Sequence, residues 1–326
     1  MEQTAANGRR FGRAVVTRGA GFLGSHLCER LLANGAEVVC VDNFPTGSVD
    51  NVEHIADPRF SIVPADVSDA LDVPGDVDVV FHLASPASPP AYRRHAIETL
   101  RAGAEGTRNA LDLATRTDAV FVLASTSEVY GDPLEHPQRE TYRGNVDPVG
   151  ARSMYDEAKR YAEALAPAYR DAEGTRVRIA RIFNTSGPRM RADDGRLLPS
   201  LATAALAGRP MTIHGDGGQT RSIAYVDDVV DALVRLARST YDRPVNVGNP
   251  DERSVLDIAL LVADAAGVDP SFEFVERPRQ DPERRCPDVS VARRELGWAP
   301  RVPVEQTVER TVAWFRAAAD RAGAAA

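Results

Sequence analysis

Residues 13–42, RAVVTRGAGFLGSHLCERLLANGAEVVCVD, constrain the fold more than any other stretch of the chain. A short apolar run, RAVVT, meets a glycine turn. GFLGSHLCERLLANG then repeats its apolar residues at helical spacing and stops at Gly35, and a second apolar run, EVVCVD, follows. Strands this apolar have no face for water, so they belong in a sheet covered on both sides. The unit recurs: FSIV (60–63), VDVVFHLA (77–84), AVFVLAS (119–125) and RVRIARIF (176–183) read as strands, and 96–115 and 154–170 read as helices between them. The pattern predicts an α/β fold with a doubly wound parallel sheet, the Rossmann architecture.

After position 184 the pattern loosens into loops rich in Gly, Pro and Arg with shorter elements, and IAYVDDVVDALVRLAR then returns to strong helical periodicity. The expected division is a sheet domain from 12–184 and 222–248 and a smaller interleaved C-terminal substrate domain from 185–221 and 249–318. A net charge of -8 argues against broad nucleic-acid or anionic-membrane binding. The three cysteines form no CxxC and no His/Cys cluster in the sequence, which predicts no metal and a reducing compartment. MEQTAANGRRFGR lacks the apolar core of a signal peptide, and no run of about 18 apolar residues exists. The expectation is therefore a cytoplasmic protein.

The glycine turn supplies the first site. In VTRGAGFLGSH a strand passes into a helix, and Gly21 and Gly24 let the backbone approach a pyrophosphate resting on the helix N-terminus. Some twenty residues on, Asp42 ends the second strand, where a carboxylate bonds the adenosine ribose hydroxyls and repels a 2′-phosphate. That favours NAD over NADP. Arg18 occupies the place where such a turn normally has its first glycine, which leaves Gly19 to absorb the bend and sets Arg18 within reach of a phosphate.

Lys159 supplies the second. Lysine and arginine together number 39, and Lys159 is the only lysine among them. Tyr155 precedes it by one helical turn in SMYDEAKRYAEA, on the same helix face. An ammonium beside a phenol favours the phenolate by direct charge attraction, and a phenolate can take the proton of a sugar hydroxyl. A compact ammonium with three rotatable donors serves a phenol and a ribose together; a planar guanidinium does not. His82 lies on an apolar strand and is read as a satisfied core residue.

VTRGAGFLGSH, FHLAS, LASTSEVYG, YDEAK and RIFNTSGPR, in this order, resemble the extended short-chain dehydrogenase/reductase family of nucleotide-sugar epimerases, dehydratases and decarboxylases, over about residues 13–315. HLASPASPPAY, STSEVYGDP, YDEAKR, ARIFNTSGPRM, GQTRSIAYVDD and NVGNP are most similar to its branch acting on UDP-glucuronate by decarboxylation. The resemblance implies catalytic roles for Thr126, Tyr155 and Lys159. It also implies cofactor contacts at Gly19, Gly21, Phe22, Leu23, Asp42, Asn43, Asp66, Val67, Leu83, Ala84, Ser85, Tyr155 and Lys159, and substrate contacts at Asn184, Arg191, Arg221 and Arg285. Arg196 flanks the same loop as Arg191.

Ser127 and Glu128 stand where the family's 4,6-dehydratases carry Asp-Glu, an acid to expel a hydroxyl and a base to remove a proton. Ser-Glu is the pattern of the decarboxylases. The resemblance thus implies NAD-dependent decarboxylation of UDP-glucuronate through a 4-keto intermediate, by a homodimer built through the helices carrying the Tyr/Lys pair, with UDP-xylose or a 4-keto-pentose released. The alternatives are a 4-epimerase or 4,6-dehydratase, and a non-catalytic NAD-binding protein, which Arg18 and Gly103 make conceivable. Gly103 lies where relatives place an asparagine near the nicotinamide end of the cofactor.

Overall fold

The chain is known from a computed structural model, which describes residues 10–277 and 282–324. Seven strands form the central sheet: β1 (Arg13–Thr17), β2 (Glu37–Asp42), β3 (Phe60–Pro64), β4 (Val79–His82), β5 (Val120–Thr126), β6 (Arg176–Ile182) and β11 (Pro244–Val247). Their order is β11-β6-β5-β4-β1-β2-β3, and every neighbouring pair is parallel. The order reverses between β1 and β4, which opens a crevice at the carboxyl ends of the strands.

Strands β1, β2, β4 and β5 are buried on both faces, and each face finds a cover. Helices α1 (Phe22–Ala33) and α7 (Val226–Arg238) bury Leu27, Leu31, Val229 and Leu233 against one side. Helices α4 (Thr107–Arg116) and α5 (Ser153–Glu173) bury Leu111, Leu113, Ala162 and Ala166 against the other. Each fully buried aliphatic side chain contributes about 1.5–3 kcal/mol, so the sheet holds only while both covers are in place.

A third core lies beyond the sheet. Helices α6 (Leu197–Leu206), α8 (Val255–Ala266) and α10 (Val304–Ala324) pack Leu201, Ile258, Val262, Val308 and Val312 together with Met211 and Ile213 of β8 (Met211–His214). The short pairs β7 (Thr185–Ser186) with β10 (Ala224–Tyr225), and β9 (Thr220–Ser222) with β12 (Glu252–Ser254), lead the chain to and from it. Helix α9 (Ser290–Leu296) lies beside β11, and β13 (Phe272–Val275) pairs with β8.

The helix expected over 96–115 is interrupted. Short helices α2 (Pro89–Arg94) and α3 (Ala96–Arg101) lead into a π-helical turn, Ala102–Gly106, before α4 begins. Gly103 in that turn lies against α5, where an added Cβ would stand 2.6 Å from the Cβ of Ala158. The glycine lets the two helices touch. Among the described residues no helix is long and apolar enough to cross a membrane.

Candidate active site

The crevice at the switch point holds two adjoining chambers. The larger, of about 1270 Å³ including its open mouth, is lined by Gly21, Phe22, Leu23, Leu83, Thr126, Ser127, Glu128, Tyr155, Lys159, Asn184, Arg191 and others. The smaller, of about 470 Å³, is lined by Asp42, Asn43, Asp66, Val67 and Ala84 among others. Of the residues expected to touch the cofactor, only Gly19 lines neither. An added Cβ there would meet the Cys40 sulfur at 2.6 Å, so Gly19 serves close packing of the turn on β2.

Asp42 closes β2 with a buried carboxylate. It accepts from the backbone N–H of Ala20 at 3.1 Å and of Phe44 at 2.8 Å. Burial raises its pKa, and the Phe44 N–H and the Arg18 charge pull the other way. Asn43 donates to Asp66 at 2.8 Å, which ties the ends of β2 and β3 together beneath the smaller chamber. The N-terminus of α1 carries no side-chain cap and no acidic residue in its first turn, which suits an anion there. The donor set fits NAD: Asp42 could hold the adenosine ribose, the α1 N-terminus the pyrophosphate, and Tyr155 and Lys159 the nicotinamide ribose.

Tyr155 and Lys159 come off the first turns of α5, and both side chains are buried. Lys159 donates to the carbonyl of Ala124 on β5 at 2.9 Å. Burial, followed by the Arg18 charge, brings its pKa down to about 7. The Tyr155 phenol is pushed up to about 12 by burial and the Glu128 carboxylate, with Thr126 acting in the opposite direction. In the ligand-free protein burial opposes the phenolate that the sequence reading expects beside the ammonium. Burial keeps the phenol protonated at neutral pH and leaves the Lys159 amine about half protonated near pH 7. Tyr92, from α2, stacks on the Tyr155 ring with centroids 5.2 Å apart at 11°.

Glu128 follows Thr126 and Ser127 past the end of β5, where the Thr126 hydroxyl accepts from the Glu128 N–H at 3.2 Å. Arg285 grips both Glu128 oxygens, one at 2.8 Å, and Arg152 donates to the same carboxylate. Although burial alone would raise it, the charges of Arg285 and Arg152 hold this carboxyl at about 2. The substrate role expected for Arg285 meets a competing claim, because its guanidinium is spent on Glu128. Arg221 is also buried outside the chamber lining, donating to the carbonyls of Thr220 and Pro282. Arg191 does line the larger chamber but pairs with Asp193.

Sequence reasoning passed over Arg152, Asp156 and Tyr92. Arg152 was one arginine among dozens; only its position one turn ahead of Asp156 in the YDEAK helix distinguishes it. Asp156 lies 3.8 Å from Arg152, and burial, with Glu128 nearby, raises its carboxyl to about 7. His82 is engaged on both ring nitrogens, by Thr17 at 3.0 Å and Thr107 at 3.2 Å, and burial lowers it to about 3. His136, Glu252 and Cys286, far apart in the chain, bring ligand atoms within 4.8 Å of one another. Their polar atoms are already paired, His136 with Glu252 at 2.9 Å and the Cys286 thiol with the Pro250 carbonyl at 3.4 Å.

A doubly wound sheet with a glycine turn, an acidic end to β2 and a Tyr–Lys pair at the switch point fits a dinucleotide-dependent enzyme. The chain belongs to the NAD dependent epimerase/dehydratase family, whose model matches residues 14–248. It is 47% identical over 310 residues to UDP-glucuronic acid decarboxylase 1 of Arabidopsis thaliana, covering 95% of this chain and 71% of that one. It is 48% identical over 305 residues to UDP-glucuronic acid decarboxylase 1 of Xenopus tropicalis, covering 93% and 72%. In three dimensions it resembles the UDP-glucuronic acid 4-epimerase of Bacillus cereus, solved with UDP-glucuronic acid and NAD, with a TM-score of 0.83, 26% identity and coverage of 94% and 99%.

Proposed function

We infer that the chain catalyses the NAD-dependent decarboxylation of UDP-glucuronate. The observation that carries this reading over the 4,6-dehydratase is the state of Glu128 beside Ser127. A 4,6-dehydratase needs an acid at this corner to expel a hydroxyl, whereas Ser127 is a poor acid and Glu128 is fixed as a carboxylate by two guanidiniums. The decarboxylase relatives support it independently.

Bound NAD supplies a hydride acceptor at C4 of the sugar and afterwards the hydride donor. Tyr155, its own proton passed to the Lys159 amine, takes the C4 hydroxyl proton as a phenolate, and Thr126 hydrogen-bonds the same oxygen. The resulting 4-ketone lies β to the carboxylate, so carbon dioxide leaves with its electrons delocalised into an enolate, whose oxygen Tyr155 and Thr126 hold. Lys159, protonated in that step, places its positive charge near that oxygen. Ser127 and the fixed Glu128 carboxylate hold the water that protonates C5. Reduction of the ketone gives UDP-xylose; earlier release gives the 4-keto-pentose. Asn184 and Arg191, on the cleft wall, contact the nucleotide diphosphate, and Arg221 and Arg285 shape that wall from behind.

The same reading divides the chain into an NAD-binding part, 12–184 with 222–248, and a nucleotide-sugar part, 185–221 with 249–318. It makes the active form a homodimer through α5, the helix carrying Tyr155 and Lys159, in keeping with the exposed Ile97 and Leu100 on α3 and Tyr161 on α5. Three free thiols fit a cytoplasmic setting. The test is carbon dioxide release from carboxyl-labelled UDP-glucuronate with NAD, the sugar product being identified by NMR in the same tube. Release with either pentose supports the reading. Turnover of UDP-glucuronate to an epimer with the carboxyl retained would replace it by the epimerase.

A further inference from the structure

Among the described residues, Arg18, Thr46 and Ser85 alone line both chambers of the crevice. They are joined to one another. One Nη of Arg18 donates to the Ser85 carbonyl and the other to the Thr46 hydroxyl at 2.8 Å, so the guanidinium bars the trough between the chambers. A dinucleotide with its ribose on Asp42 and its nicotinamide at Tyr155 has to pass through this bar, and its pyrophosphate falls there.

Two features show that the bar is held ready for an anion. The Arg18 backbone is left-handed, at φ +55°, a conformation that a side chain bearing Cβ adopts only at a cost and that glycine adopts freely. Strain of this kind persists where the surroundings impose it. Here they do, because the Arg18 N–H donates to the Val41 carbonyl at 2.7 Å and the Arg18 carbonyl accepts from Gly21 at 3.1 Å. The backbone is pinned, so the side chain is the part that moves. The second feature is the guanidinium's poor satisfaction: its Nε is sealed from solvent and has no hydrogen-bond partner among the described residues, and its two partners are neutral oxygens. Phosphate oxygens make stronger, fork-shaped bonds with a guanidinium than either of these does. Gly21 leaves the swing open, since a Cβ there would stand 3.1 Å from the Arg18 Cγ.

We propose that Arg18 is a latch on the cofactor trough: closed on Ser85 and Thr46 in the free protein, it opens to admit NAD and then clamps the cofactor's diphosphate. The proposal rests on the NAD-binding reading above, and extends it to how the cofactor is admitted and held.

The test uses cofactor-stripped protein, with NAD and, separately, UDP titrated calorimetrically, and with NAD dissociation followed by stopped flow. Arg18→Gln keeps the strain and removes the charge; Arg18→Gly removes both and relieves the backbone. Both variants are expected to bind NAD about 10- to 100-fold more weakly, with the loss chiefly in a faster dissociation, and to bind UDP as the wild type does. Arg18→Gly is expected to melt no lower than wild type, so weak binding by it cannot be laid to misfolding. NAD binding in either variant as tight as in the wild type, or tighter, would make Arg18 a mere obstruction and overturn the proposal. Equal weakening toward UDP would assign the guanidinium to the other ligand's diphosphate and overturn it too. A wild-type protein that bound no NAD would remove the cofactor reading itself, and the latch with it.

Discussion

Replacing Glu128 by Gln removes the charge on which Arg152 and Arg285 converge. All three side chains are well covered, 14% exposed for Glu128, 18% for Arg152 and 7% for Arg285, so solvent screens their interaction weakly. The carboxyl titrates at about 2 in the fold against an ordinary 4.5, which corresponds to about 3 kcal/mol of linkage. Because the folded pKa is the lower one, that stability is present above about pH 4.5 and lost as pH falls toward 2. Unfolding entropy of roughly 2.1 cal/mol/K per residue over 326 residues turns it into a fall of about 4 °C in Tm at pH 7. Differential scanning calorimetry of wild type and Glu128→Gln at pH 7, 5 and 4 measures it. The gap should hold between pH 7 and pH 5 and begin to narrow at pH 4. A variant melting within 1 °C of wild type at pH 7, or a gap that widens in acid, refutes the claim that the two arginines are held by this charge.

Other expectations follow from the same geometry. Lys159→Arg puts a longer, planar cation into a buried slot fitted to an ammonium on the Ala124 carbonyl, and turnover should fall at least about 100-fold while UDP affinity measured by calorimetry holds. Asp156→Asn removes a carboxyl whose folded pKa, about 7, lies above its unfolded value. That group's contribution is present below pH 4 and lost as pH rises through 7, so the Tm of Asp156→Asn relative to wild type should climb between pH 5 and pH 8; a flat difference contradicts the assignment. Gly103→Asn drives a Cβ against Ala158 and should cost about 1–3 kcal/mol by urea denaturation, partly recovered by Ala158→Gly in the same chain.

How far the sequence reached depends on what kind of information each feature carries. The parallel sheet was legible because β1, β2, β4 and β5 carry near-continuous apolar runs, and such strands have few alternatives to a covered sheet. The break at Ala102–Gly106 was not, since helical periodicity runs through it and its cause is contact with Ala158 more than fifty positions away. At the site, Tyr155 and Lys159 announced themselves by spacing and by the lone lysine. The state of that pair did not, because burial, which sequence spacing does not measure, decides both pKa directions. Arg285 shows the same limit: a motif places it near the diphosphate, yet only the fold reveals that Glu128 already occupies its fork.

The central claim is that carbon dioxide leaves only after this chain oxidises C4 of UDP-glucuronate, with Tyr155 as the base. It is met most directly by turning over UDP-glucuronate deuterated at C4, in ordinary water, with NAD and either wild type or Tyr155→Phe. The account predicts slowed carbon dioxide release from the deuterated sugar, deuterium back at C4 of the UDP-xylose formed, and release lowered at least about 1000-fold in Tyr155→Phe. Release at the same rate from labelled and unlabelled sugar together with an undiminished Tyr155→Phe would contradict it.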